Sequence, residues 1–287
     1  MDHPPGRRPL SEPGGRLDAL APSGLDGTVV LLRHGESTWV AEGRFQGQGD
    51  PPLSPAGRRQ AALAADRLAR PHHPPSLPVP SGPPLEIVHS PLRRTTETAE
   101  QVGAALAGGD GFGVHVPRRA DAGFLEIGQG EWEGLPGAEI QARWPDVIAG
   151  WRRDPLTAWA PGGESIPEVD ARVQPALAQV LARLRERGGA TIGHRSHVLG
   201  YGEAPSLDPW TIVVGHDGVF KVALLALMDL PLDRFWSFPF ALCGISIVEL
   251  RAGRPRLRAH NLTDHLASFD DERAQAIEGE RNRTGAL

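Results

Sequence analysis

Three short apolar runs constrain this chain most: Thr28-Val29-Val30-Leu31-Leu32, Leu85-Glu86-Ile87-Val88-His89 and Thr211-Ile212-Val213-Val214. None shows the strict apolar-polar alternation of a strand with one wet face. Runs of this kind are strands buried on both sides, as in a parallel sheet sandwiched between helices. Segments of helical period lie between them. Ser54 and Pro55 read as N-cap and first residue of a helix over 55–70, with Ala61, Leu63 and Leu68 on its apolar face. A second helix is expected over 91–106. Ile166, Val169, Val173, Leu177, Val180, Leu181 and Leu184 recur at helical spacing, predicting an amphipathic helix over 168–187 with a kink at Pro175. A further helix spans 219–228. Residues 114–116 read as a short strand, and 245–250 and 256–260 as two more flanking a turn at Ala252-Gly253. Strands alternating with helices imply an α/β fold, a three-layer sandwich around a mostly parallel central sheet.

The globular part is expected over 28–268. Residues 1–27 are rich in Pro, Gly and charge and predict a disordered arm, and 269–287 a flexible tail. Seven prolines over 71–84 predict a mobile loop. The Gly-, Pro- and His-rich stretch 194–209 reads as an insertion. No segment has the apolar h-region of a signal peptide or the length of a membrane span. One cysteine, Cys243, excludes an internal disulfide framework and fits a reducing cytoplasm. A net charge of -5 gives no electrostatic case for a nucleic-acid partner. An anionic substrate would have to be drawn by a few arginines gathered in one pocket.

In open α/β sheets, ligands bind beyond the carboxyl ends of the strands. Two of the runs end in Arg33-His34-Gly35 and Gly215-His216-Asp217-Gly218. If those strands are neighbours, two histidines and an arginine converge. Phosphoryl transfer needs a nucleophile, cations or donors for the equatorial oxygens, and an acid for the leaving oxygen. His34 can supply the first, Arg33 and His216 the second. Gly35 allows a sharp turn and a close approach of backbone to an anion. His194, which also follows a short apolar piece and a glycine, competes with His216 but ends a shorter run. His194 and His197 could be read as a metal pair, yet no third ligand stands at a suggestive spacing. Gly108 to Gly113 lacks the Lys-Ser/Thr of a phosphate-binding loop.

Leu32-Arg33-His34-Gly35-Glu36-Ser37-Thr38-Trp39 resembles the signature of the histidine phosphatase superfamily, the group that includes cofactor-dependent phosphoglycerate mutase. Further blocks resemble that family in the same order: Arg44-Phe45-Gln46-Gly47, Asp50 to Gly57, Ser90 to Ala99, Leu125-Glu126-Ile127 with Gly130 to Gly134, Pro161 to Ser165 and Asn261 to Leu266. The resemblance implies a phosphoglycerate mutase-like fold and a phosphohistidine formed on His34. It implies that Arg33, Arg94 and His216 hold the phosphoryl oxygens, and that Glu126 protonates the leaving alkoxide and then activates water. Of Arg93 and Arg94 one should face solvent, and spacing favours Arg94 as the ligand; Glu131 and Glu133, beside Trp132, either rival Glu126 as the acid or simply fix the loop. Gly35, Arg44, Gln46, Gly47, Asp217 and Gly218 become candidates for holding substrate. Neither metal nor other cofactor is implied.

Two departures bear on activity. Where the mutases place an asparagine six positions after the nucleophile, this chain has Val40, which cannot donate a side-chain hydrogen bond. After Glu126 the cationic run of the mutases is replaced by Ile127-Gly128-Gln129. The expected activity is therefore hydrolysis of a small phosphorylated metabolite, with a phosphoglycerate mutase as the alternative and a non-catalytic phospholigand-binding module as the second. No nucleic-acid or membrane partner is expected, and a homodimer is compatible with the chain.

Overall fold

The computed structural model describes Leu20 and residues 23–188 and 206–272. Most of the expected arm and tail, most of the 194–209 stretch, and both His194 and His197 lie outside the described residues. In chain order the elements are β1 (Gly27–Arg33), α1 (Thr38–Ala41), α2 (Pro55–Ala69), β2 (Ile87–His89), α3 (Arg93–Ala107) and β3 (Arg118–Ala120). There follow α4 (Gly137–Arg143), α5 (Pro145–Arg153), α6 (Ile166–Gly188), β4 (Trp210–Gly215), α7 (Asp217–Leu227), β5 (Ile245–Arg251) and β6 (Arg254–Leu262).

The sheet order is β3-β2-β4-β1-β5-β6. β3, β2, β4 and β1 pair in parallel, and β5 runs antiparallel to both β1 and β6. The reason β1 is apolar throughout is visible in the two cores. Val29 and Leu31 join a cluster built from α6 and α7, whereas Val30 and Leu32 join one built from α2 and α3. Successive side chains of a strand point to opposite faces, so a strand covered on both sides must be apolar at every position. The three-layer α/β sandwich is therefore present, with α2 and α3 on one face and α6 and α7 on the other.

Several boundaries differ from expectation, each for a physical reason. The strand expected at 114–116 lies instead at Arg118–Ala120, an edge strand with largely exposed side chains, and so without an apolar signal. Val114 is exposed and only Val116 is buried, just ahead of the strand. β2 is three residues long, because Leu85 and Glu86 precede its ladder. The segment 71–84, expected to be a mobile loop, buries Leu77 and Val79 against the α2–α3 core. It is tied down further by Trp210 Nε1, which donates to Gly82 O at 2.7 Å. The short helices α4 and α5 were not expected. They meet at Trp144-Pro145, where Pro145 biases Trp144 away from helical backbone and opens the second helix.

The first turn of α2 is fastened to the loop that follows β1. Ser54 Oγ caps the helix by accepting from Gly57 N at 2.9 Å, and donates to Glu36 Oε1 at 2.7 Å. Glu36 N donates to Gln60 Oε1 at 2.9 Å, and Ser54 N to Glu36 O at 2.8 Å. The two chains approach so closely that a Cβ on Gly57 would sit 1.8 Å from Glu36 O, and one on Gly35 would sit 2.3 Å from Gly57 O. Gly57→Ala must push this loop off the helix. Overpacking of this kind costs about 1–3 kcal/mol, and we expect a loss at the upper end of that range by urea unfolding, with reduced turnover in the same variant. An unchanged unfolding midpoint would show that the contact can relax freely.

Candidate active site

The parallel register of β1 and β4 pairs Arg33 with Gly215, so the next residues, His34 and His216, emerge side by side at the carboxyl edge of the sheet. Their ring centroids lie 5.0 Å apart. β2 pairs His89 with Val214, which brings Ser90 to the same edge. His34, His216 and Ser90 are all buried.

Hydrogen bonds assign the proton on each ring. His34 Nδ1 lies 2.6 Å from Gly35 O. A carbonyl oxygen can only accept, so Nδ1 carries the proton and Nε2 keeps a free lone pair. Arg94 Nε can only donate, and it reaches His216 Nδ1 at 3.2 Å. His216 is therefore protonated on Nε2, which donates to Ser90 Oγ at 2.9 Å. Burial, reinforced by the charges of Arg94 and Arg33, holds His34 well below the usual imidazole range. Burial and the same arginines act likewise on His216, with His34 adding to the effect. Both rings are neutral at pH 7.

Arg94 is fully buried on α3, and burial draws it down to about 10 against the opposing pull of Glu126 and Asp50, so it stays charged at neutral pH. Its Nη1 and Nη2 donate to Gly49 O and Gly47 O at 2.7 and 2.8 Å. Its neighbour Arg93 is exposed and pairs with Glu97. Arg33 donates through Nη1 to Phe240 O at 2.5 Å, while its buried Nε has no hydrogen-bond partner among the described residues. An unsatisfied buried donor beside a buried histidine is suited to holding an anion. The Glu126 carboxylate caps α7: Oε1 accepts from Val219 N at 3.0 Å and Ile127 N at 2.9 Å, and Oε2 from Gly218 N at 3.2 Å.

Comparison with known proteins identifies the family to which a chain with this crevice belongs. Residues 29–199 and 203–263 match the histidine phosphatase superfamily (branch 1). The chain belongs to that family. It is 36% identical over 208 residues, 72% of this chain and 78% of the relative, to the glucosyl-3-phosphoglycerate phosphatase of Mycobacterium tuberculosis. It is 28% identical to phosphoserine phosphatase 1 of Hydrogenobacter thermophilus over 87% of this chain and 99% of that protein. A mycobacterial glucosyl-3-phosphoglycerate phosphatase solved with VO3 superposes with a TM-score of 0.64 at 30% identity, covering 82% of this chain and 99% of that one.

Other residues singled out in this phosphatase serve the frame around His34. Arg44 bonds Glu42 and Gly134 O at 2.7 Å each. Gln46 Oε1 accepts from Ser37 Oγ at 2.5 Å. Gly47, at φ +51, supplies a carbonyl to Arg94. Asp217 accepts from Lys221 Nζ at 2.6 Å and Phe240 N at 3.1 Å. Gly35 N donates to Thr98 Oγ1 at 3.4 Å. Glu133 fixes its loop as expected, accepting from Gln48 N and Gln129 N, while Glu131 is exposed. Ser90, Gln48 and Arg172 were not given roles from sequence. Ser90 stood inside a recognised block, but nothing in the residue pattern marks Gln48 or Arg172.

The two neutral histidines make acid stability a test of the site. The unfolded chain takes up protons at these rings as pH falls through about 6.5, and the folded chain does not. Their stability contribution is thus fully present above pH 6.5 and is lost as pH drops below it. We expect the melting temperature to be level near pH 7 and to fall between pH 6.5 and 5. The slope should be shallower in the His34→Ala/His216→Ala double variant. Burial depresses His89, His260 and His265 as well, so part of the slope persists. An identical slope in parent and double variant would contradict the neutral pair.

Proposed function

We propose that this phosphatase hydrolyses small-molecule phosphomonoesters through a phosphohistidine on His34, without a metal ion, in the cytoplasm. The observation that carries the reading is the His34–Gly35 hydrogen bond, which leaves Nε2 unprotonated in a cationic crevice. Nε2 attacks phosphorus as the ester P–O bond breaks, and the leaving oxygen takes a proton from the Glu126 carboxyl. Arg33 and Arg94 stabilise the charge on the equatorial oxygens, and His216 joins them by turning its Nε2–H from Ser90 Oγ to a phosphoryl oxygen. In the second half, the Glu126 carboxylate takes a proton from water as its oxygen attacks phosphorus. The P–N bond breaks, the electron pair returns to Nε2, and inorganic phosphate leaves. Gly35, Gly47 and Gly218 place backbone at the rim of this crevice.

Hydrolysis is favoured over mutase activity by what the site lacks. A mutase must hold a second anionic end and keep water from the phosphohistidine. Val40 offers no side-chain donor, and Ile127 is buried where the mutases carry cationic residues. The similarity to the probable phosphoglycerate mutase of Salmonella choleraesuis covers 53% of this chain, against 72% for the mycobacterial phosphatase. The relatives' names place O-phosphoserine and glucosyl-3-phosphoglycerate first in a substrate panel.

Rapid quench at alkaline pH with labelled substrate should trap acid-labile phosphate on His34, and label on serine or aspartate would overturn the mechanism. His34→Ala should abolish turnover, and His216→Ala should cost roughly a hundredfold, the scale of one lost transition-state donor. Chelators should leave the rate intact and vanadate should inhibit. Free phosphate should appear without bisphosphoglycerate priming; rapid interconversion of 3- and 2-phosphoglycerate with negligible phosphate release would instead make the chain a mutase.

A further inference from the structure

Glu126 sits on a stretch of irregular backbone between two 3₁₀ turns, where a proton-transfer group is poorly placed unless something fixes it. The fixing group is Arg172, from α6. Its Nη1 donates to Gly123 O at 3.0 Å and Leu125 O at 2.9 Å, and its Nη2 to Glu126 O at 2.9 Å. The remaining two N–H groups grip Glu164, Nε to Oε1 at 2.9 Å and Nη2 to Oε2 at 2.8 Å.

Glu164 extends the clamp to the other side of Glu126. Its Oε2 accepts from Gly128 N at 2.7 Å and from Gln48 Nε2 at 3.0 Å, and the same Gln48 amide reaches Glu126 O at 3.2 Å. Burial pushes the Glu164 carboxyl up, but the bonds from Arg172 and Gly128 outweigh it and hold the group below its ordinary value. Arg172 lines an open cleft with Gln48, Asp121 and Gln179. It is nevertheless not an anion receptor there, because all five guanidinium N–H groups already have acceptors. A planar fork that fills every donor is suited to fixing a backbone geometry, which a lysine cannot reproduce.

We propose that Arg172, locked by Glu164, is the positioning residue that aims the Glu126 carboxyl at the leaving-group oxygen. The inference rests on the reading of Glu126 as the acid. Arg172 touches the carbonyls of residues 123, 125 and 126, not the carboxyl itself, so it acts through the backbone from which that carboxyl reaches over to α7.

The test compares two leaving groups on one preparation. An alkyl ester such as O-phosphoserine needs a proton on its departing oxygen, whereas p-nitrophenyl phosphate releases a stable anion without one. The kcat/KM value reports only the phosphorylation half-reaction, and the ratio of the two values is independent of how much of a variant is folded. Arg172→Gln should lower the alkyl value roughly a hundredfold, the cost of misplacing a catalytic group by about 1 Å, and leave the aryl value within a few-fold. Arg172→Lys should fall between parent and Arg172→Gln. Glu126→Gln should show the same leaving-group dependence at least as steeply. If Glu126→Gln is steep and Arg172→Gln lowers both substrates alike, or neither, Arg172 does not position the acid and the proposal is overturned. If Glu126→Gln is itself flat, the assignment of Glu126 fails and the positioning role fails with it.

Discussion

The parallel pairing of β1 with β4 is the constraint from which the site follows. Seen from the chain, His34 and His216 are 182 positions apart (216 minus 34). Seen from the sheet, they are adjacent, because the ladder that matches Thr28 with Trp210 runs on to match Arg33 with Gly215. Where that ladder ends, the two strands deliver a histidine each, and His34 N still donates to Gly215 O at 3.0 Å. Parallel neighbours need crossover connections, and those crossovers are the helices that cover both faces. The demand that β1 be apolar at every position and the closeness of the two histidine rings are consequences of one topology.

Burial then decides the protonation chemistry. In water a histidine beside two arginines would still be partly charged near pH 6.5. Enclosed at this sheet edge, both rings lose their positive form, first to desolvation and then to the arginine charges. In the mechanism proposed for this site, two tasks are separated: the arginines carry the cationic charge that attracts a phosphate, and the neutral His34 carries the lone pair that attacks it. A nucleophile that ionised with the arginines would lose that lone pair, so the burial that destabilises the chain in acid also keeps the enzyme competent at neutral pH.

The fold was largely legible because its signals are local. β1, β2 and β4 announced themselves as short, mostly apolar runs, and α2 by the Ser54-Pro55 start. β3 was missed because an edge strand exposes its side chains and loses that signal, as Arg118 and Arg119 do. The Pro-rich segment was misjudged for the opposite reason: two apolar residues, Leu77 and Val79, suffice to pin a loop whose composition otherwise suggests mobility. At the site, the motif blocks singled out His34, Arg33, Arg94, Glu126 and His216 as candidates. They gave no sign of the partners that orient them, since the Arg172 contacts with residues 123–126 bridge 46 to 49 positions and follow only from the packing of α6.

The loss of a side-chain donor at Val40 illustrates how such a frame absorbs change. Ser37 Oγ accepts from Val40 N at 3.1 Å, capping α1, and donates its own O–H to Gln46 Oε1. The backbone of Val40 therefore remains part of the hydrogen-bonded frame, and only its side chain has left the polar network. An asparagine there would add a donor without being needed to hold α1 in place. Valine at this position therefore leaves the loop after His34 intact. The Ser54–Glu36–Gln60 bonds anchor the same loop without using the side chain at residue 40, so the position of His34 does not depend on it.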